Sequence, residues 1–248
     1  VIDLTGDIAV QYHMNESSWV PDTACIIDSS GHARHATPKN DADTQNIHVK
    51  LGAYAGEFDS GADDKIITPY TPPVGDFSME FWGRIENSIE SVYHSFFTTV
   101  ETTTNRDGIL FHHHITAGLR AVVYKANSGI LVAQEDSVTC VEDTWYHLIV
   151  VYNHGGGSNS TLKVYKNTVE VADDSDVLAL AAHDGVLEIG IAYKALAPAW
   201  WGQVDEFRVY EKVLSSAERT WLYNGGLGRE NLSGIPIAQR YYRNLRVA

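Results

Sequence analysis

Cysteine is scarce in this 248-residue chain: Cys25 and Cys140 are the only two. That excludes a disulfide-rich scaffold and a multi-cysteine zinc site. The two thiols either pair, which sequence separation alone does not fix, or stay free and packed. Positive charge is also in short supply, with 18 Lys and Arg against 32 Asp and Glu and a net charge of −14. A general nucleic-acid binder needs a basic surface to displace counterions, so that class is excluded. No apolar run approaches the ~20 residues that cross a bilayer as a helix, so no such insertion is expected. Helical periodicity is nearly absent and no repeat of fixed period is visible. The chain begins Val1-Ile2-Asp3, without an initiator Met or a basic-then-apolar leader, as expected of a processed or excerpted product.

What is present is a β pattern. The apolar fraction, 44%, suffices for a sizeable core, and the charged fraction, 20%, is too low for a disordered chain. Short runs rich in β-branched and aromatic residues recur between Gly, Asn, Asp and Ser. Ile8 to His13 is the first. In Phe77 to Ile85, Phe77, Met79 and Phe81 alternate with Ser78, Glu80 and Trp82. Others follow through Trp145 to Asn153 and Gln203 to Glu211. About ten or more strands at turn intervals of roughly 8–12 residues predict an all-β, two-sheet antiparallel sandwich. The glycine-rich stretch His154–Ser160 reads as a hairpin tip. One helix is predicted near residues 216–223: Ser215 and Glu218 form a capping box, and Gly225 and Gly226 end the helix.

The order of motifs resembles the laminin-G-like, concanavalin-A-like lectin/glucanase jelly roll in its three-segment bacterial and viral form. Tyr12–Glu16 and the turn Asp28–Thr37 (DSSGHARHAT) are similar to its opening strand and turn, with Ala36 where the family often has Gly. Gly56–Ile66 resembles its F-D-G-x-D-D-x-I strand pair, and Phe77–Trp82 its first long inner strand. Thr144–Tyr152 and Leu162–Asn167 resemble its W-x-H and L-x-L-Y-V-N-G strands. Trp201–Tyr210, then Leu214–Glu218 and Leu222-Tyr223, resemble the closing signature. The resemblance implies one jelly-roll domain over residues 1–224, followed by a tail over 225–248.

Fold does not fix function, so the candidate sites are weighed singly. The resemblance places Asp28 and Asp205 near each other, where they and carbonyls of the Ser29–Arg34 loop could share a structural calcium; the alternative is an Asx turn at Asp28 and a capped or salt-bridged Asp205. Asp205 and Glu206 are adjacent on a predicted strand, so alternation sends them to opposite faces and denies them a catalytic pairing. The E-x-D-x-x-E run of glucanases of this fold is absent, as are the R-x-E-L-R and Q-x-H strands of its lyases, so no enzymatic activity is expected. His112, His113 and His114 read as a packed or solvated strand, since no third zinc ligand is evident. Trp200 and Trp201 must diverge; the resemblance gives Trp201 the packing position, so Trp200 is the expected exposed platform for a sugar face or partner protein, the alternative being that it covers the sandwich edge. Asn15, Asn159 and Asn231 begin N-x-S/T triplets.

In the tail, Arg229, Arg240, Arg243 and Arg246 against Glu230 give a net +3, leaving −17 on the rest. Arg240, Tyr241, Tyr242, Arg243 and Arg246 are the expected assembly residues, reached through a flexible exit at Gly225, Gly226 and Gly228. Two functions follow. One is a non-enzymatic recognition module binding carbohydrate or a cell-surface polymer through edge loops. The other is a structural subunit, a virion decoration or fibre block, forming a homo-oligomer or lattice with neighbouring copies. Either predicts an extracellular or virion-surface location.

Overall fold

The computed structural model describes residues 2–59, 63–86, 93–100, 107–125, 129–135, 140–155, 159–176, 180, 183–190 and 200–233. Fifteen strands are present among them: β1 (Ile8–Tyr12), β2 (Thr37–Lys39), β3 (Asp43–Gln45), β4 (Ala55–Phe58), β5 (Lys65–Ile67), β6 (Phe77–Ile85), β7 (Tyr93–Thr98), β8 (Gly108–His114), β9 (Gly118–Lys125), β10 (Gly129–Gln134), β11 (Trp145–Asn153), β12 (Ser160–Lys166), β13 (Val169–Asp176), β14 (Glu188–Ile189) and β15 (Gly202–Tyr210). They form two antiparallel sheets, consistent with the jelly-roll sandwich. The first runs β13-β12-β11-β6-β15-β4-β3, with β1 also pairing β15; the second runs β10-β9-β8-β7-β14-β5-β2.

The core between the sheets is aromatic. Phe81 lies at its centre, with ring centroids of Phe96, Phe111 and Phe207 at 5.3, 6.1 and 5.7 Å. Alternation on β6 sends Phe77, Met79 and Phe81 into this core and Ser78, Glu80, Trp82 and Arg84 to the far side. All nine residues of β6 are nevertheless buried. The far side of the first sheet is covered by a second apolar cluster, in which Leu4, Ile149, Val151, Tyr210, Leu214, Leu222 and Leu232 pack together. Polar groups on that face therefore need partners.

Helix α1 (Ser216–Tyr223) provides part of the cover. Its capping box is formed as expected: Glu218 N donates to Ser215 Oγ at 3.3 Å, and Ser215 N to Glu218 Oε2 at 2.7 Å. The helix ends at Asn224, which takes the left-handed conformation (φ 49°), one residue before the glycines.

The next segment corrects the expected boundary after residue 224. Residues 225–233 lie along the body as a strap and are no flexible exit. Leu232 is buried and its carbonyl accepts from Leu4 N at 3.2 Å. The Glu230 carbonyl accepts from Gln11 Nε2 at 3.3 Å, and the Gly226 carbonyl from Lys50 Nζ at 2.5 Å. Arg229 donates from Nε to the Trp221 carbonyl and stacks over its ring. Gly228 is there for contact: at φ 71°, a Cβ would lie 2.7 Å from Leu51 Cδ1 and 2.9 Å from Trp82 Nε1. The expected assembly residues Arg240, Tyr241, Tyr242, Arg243 and Arg246 lie outside the described residues.

Candidate functional site

The site begins with a fault in a strand. β15 pairs regularly with β6 from Gly202 to Asp205, then slips before resuming at Arg208↔Glu80. Glu206 occupies the bulge with φ 54°. The extra residue shifts the alternation: Val204 faces the core before it, and Phe207 and Val209 after it. Asp205 is paired with Trp82, whereas Glu206 bonds Arg208, and both lie on the covered side. This corrects the expectation that Asp205 and Glu206 point to opposite faces.

A buried charge network follows. Arg208 is fully buried and forks between Glu206 and Glu80, with Nη1 3.2 Å from Glu80 Oε1 and Nη2 bonded to Glu206 and the Arg229 carbonyl. Glu80 also contacts His147 Nε2 at 2.8 Å and accepts from the Tyr210 hydroxyl at 2.7 Å. Burial alone would raise the pKa of Glu80, but Arg208, His147 and Tyr210 together hold it below the usual range. Burial would also lower that of Arg208, but the two carboxylates outweigh it.

The network reaches solvent at His13. Its Nδ1 lies 2.8 and 2.9 Å from the two Glu206 oxygens, and its side chain is 26% exposed. Because a carboxylate only accepts, Nδ1 carries the proton shared with Glu206, which leaves Nε2 as the ring nitrogen that Glu206 does not engage. His13 lines an open cleft of about 410 Å³ between β1 and the strap, within the size range of small-molecule sites. Gln11, Asn15 and Ser29 line it from the N-terminal side, and Glu230, Asn231 and Leu232 from the strap. Asn15 bridges the two walls: its Oδ1 accepts from Ala53 N and its Nδ2 donates to Glu230 Oε1 at 3.2 Å.

The expected calcium pair does not fit this arrangement. Both Asp28 oxygens accept hydrogen-bond donors, from Gln11 N, Ser30 N, Ser30 Oγ and Arg34 N at 2.8–3.0 Å. Burial opposes its charge, yet these donors hold its carboxyl below the usual range. This is the Asx-turn reading, and protons aimed at both oxygens repel a cation. Asp205 Oδ2 is occupied separately, by Lys50 N and Leu51 N at 3.0 and 2.8 Å, while Oδ1 is buried without a partner. Burial pushes this carboxyl well above its ordinary pKa, and Glu206 adds to the effect. Among the described residues no group of three or more His, Cys, Asp or Glu could hold a metal ion.

The exposed platform at Trp200 is also corrected. Trp200 is fully buried, stacked on Phe58 at 5.5 Å and edge-on to Phe96 at 4.8 Å, while Trp201 is half-buried. Residues 200, 202 and 204 share a parity, and Gly202 brings its backbone against the indole: a Cβ there would lie 2.8 Å from Trp200 Nε1 and 2.0 Å from the Arg84 carbonyl. His112 and His113 are buried in β8, and desolvation lowers them to about 3 and about 4. Cys25 and Cys140 are free, and burial pushes the Cys140 thiol up to about 12. His13, Ser29, Glu206 and Asn231 were not among the expected site residues. Parity counting hid Glu206, and the cleft depends on a strap that sequence presented as an exit.

Residues 59–218 match the profile described as the concanavalin A-like lectin/glucanases superfamily. No curated protein sequence matches. Among solved structures, the chain is similar to the botulinum neurotoxin serotype D binding domain (TM-score 0.66, 16% identity, 90% of this chain and 52% of that one). It is also similar to domain 4 of a GH43 extracellular arabinanase from Geobacillus stearothermophilus in complex with arabinotriose (0.59, 15%, 90% and 98%). A third is the binding domain of Paraclostridial Mosquitocidal Protein 1 (0.62, 15%, 90% and 53%). The chain spans about half the length of the toxin binding domains it matches. At these identities the likeness shows the fold.

Proposed function

Because the chain belongs to the concanavalin A-like lectin/glucanase superfamily, we propose that it is a non-catalytic recognition module that binds carbohydrate, or another hydroxyl-rich cell-surface polymer, in the cleft beside β1. The observation that carries this reading is His13, fixed by a buried carboxylate and presenting its other nitrogen to a polar cleft of ligand size. The printed names of the similar structures support it: two are binding domains, and the third is a domain of an extracellular arabinanase in complex with arabinotriose. An extracellular setting goes with the same reading. Catalysis has no support from the carboxylates here, since Glu80 and Glu206 are both buried and committed to Arg208 and histidines.

Recognition on a glycan array tests the proposal. Ser29→Ala/Asn231→Ala should lose most of the signal with an unchanged melting temperature. Absence of any glycan binding by the folded wild-type chain refutes the function, and binding indifferent to the double substitution refutes the site. The reading as a virion or fibre block rests on the basic, aromatic tail, whose residues 240–246 lie outside the described residues; only the flexible exit expected before it is replaced, by residues 225–233 docked on the body.

A further inference from the structure

The hydrogen-bond inventory of the cleft goes one step further than the reading above, on which it rests. Several lining atoms are already committed within the protein. Asn15 is occupied at both ends, Thr5 Oγ1 donates to Asp3 Oδ1, and Gln11 Nε2 is held by the Glu230 carbonyl. Asn231 Oδ1 accepts from Ser233 N. Four groups keep an atom with no partner among the described residues: His13 Nε2, and the acceptors Gln11 Oε1, Ser29 Oγ and Glu230 Oε2. The Asn231 amide nitrogen and the Ser29 hydroxyl proton are the uncommitted donors.

Charge tells the same story. Glu230 stands on the rim and Glu206 directly behind His13, while none of the residues lining the cleft is Lys or Arg. Arg208, the nearest cation in this network, has its guanidinium turned to Glu80, Glu206 and the Arg229 carbonyl. A carboxylate, sulfate or phosphate brings only acceptors and a like charge. A neutral polyol brings hydroxyls that each donate and accept, which these acceptors and donors can satisfy together.

The geometry points to a neutral saccharide residue as the occupant, with acidic sugars excluded: its hydroxyls donate to Gln11 Oε1 and Glu230, accept from Asn231 and pair with His13 Nε2. Leu232, the one apolar lining residue, is buried in the second apolar cluster, so the cleft's free contacts are polar.

The test uses the full chain against neutral oligosaccharides and against sialylated, uronate-bearing and sulfated ones, followed by titration calorimetry on the best binder. Glu230→Gln keeps the acceptor that Asn15 uses and turns the second oxygen into a donor. Neutral glycans should bind, and Glu230→Gln should weaken them about tenfold, the effect of losing a hydrogen bond to a charged acceptor, while raising any binding of acidic ones. Preference of the wild type for acidic glycans, with binding still lost in Ser29→Ala/Asn231→Ala, overturns the ligand class but keeps the site. Preference for amino sugars or polyamines over neutral sugars also overturns the class. Binding untouched by the double substitution overturns site and class together.

Discussion

Replacing Arg208 with methionine removes the sole cation between two buried carboxylates and leaves the volume largely filled. Wild-type Arg208, Glu80 and Glu206 are all essentially inaccessible, so neither carboxylate can turn to water. Breaking such a pair costs about 3–5 kcal/mol. Glu80 keeps His147 and Tyr210, and Glu206 keeps His13, which places the loss near the lower end, about 3 kcal/mol. Urea unfolding at neutral pH should show a midpoint lowered by ~1 M with an unchanged slope. Arg208→Met/Glu206→Gln should recover part of the loss, because the second change removes a charge left without its partner. The pH dependence supplies the sign check. The depressed pKa of Glu80 contributes stability above the ordinary carboxylate range, and this is lost as pH falls through the folded value. With Arg208 gone that value rises, so acid unfolding should begin at higher pH than in the wild type. A midpoint shift corresponding to less than ~1 kcal/mol, with an unmoved acid transition, would refute the network as a structural keystone.

Asp205 carries the opposite sign. Its folded pKa is raised, so the native state holds an extra proton above the ordinary carboxylate pKa, and stability falls by up to ~1.4 kcal/mol per pH unit until the folded value is passed. In Asp205→Asn that slope should flatten in a melting series across pH. Trp200→Ala should unfold the domain or cost about 3–5 kcal/mol; a folded variant with normal melting would contradict its burial. Truncation after Tyr223 should lower melting, because Leu232 and the strap hydrogen bonds are lost; an unchanged melting curve would contradict the docking of the strap. Excess chelator should leave the melting curve unchanged; a drop would show a bound cation that the donor pattern at Asp28 argues against.

The strands were legible because residues facing the core recur with a two-residue period, Phe77, Met79 and Phe81 in β6 and Leu148, Val150 and Tyr152 in β11, although both faces of these strands are covered. The Ser215–Glu218 box was legible because a cap is local chemistry. The site was not, because it depends on breaks in those local rules. Period-two counting assigns Asp205 and Glu206 to opposite faces, and only the positive φ at Glu206 reveals the bulge that unites them. The same counting, run back from Val204, would have placed Trp200 inside, and the motif comparison outweighed it. Gly225, Gly226 and Gly228 read as flexibility, yet Gly228 is small so that the strap can touch Trp82 and Leu51. His13 showed no signal at all, since its partner lies 193 residues away.

The pairing of β1 with β15 and the contact of Leu4 with Leu232 also set an order of events during synthesis. Ribosomes deliver roughly 5–20 residues per second, so β1 emerges about 10–40 s before the strand it must join. Throughout that interval Ile8–Tyr12 lacks its partner strand, and once β11 is made it pairs with β6 before the cover of their outer face is complete. Glu80 can meet His147 once β11 is made, but Arg208 follows only with β15. Until β15 is made, the Glu80 carboxylate is therefore without its arginine, and β1 is without the strand that covers its edge.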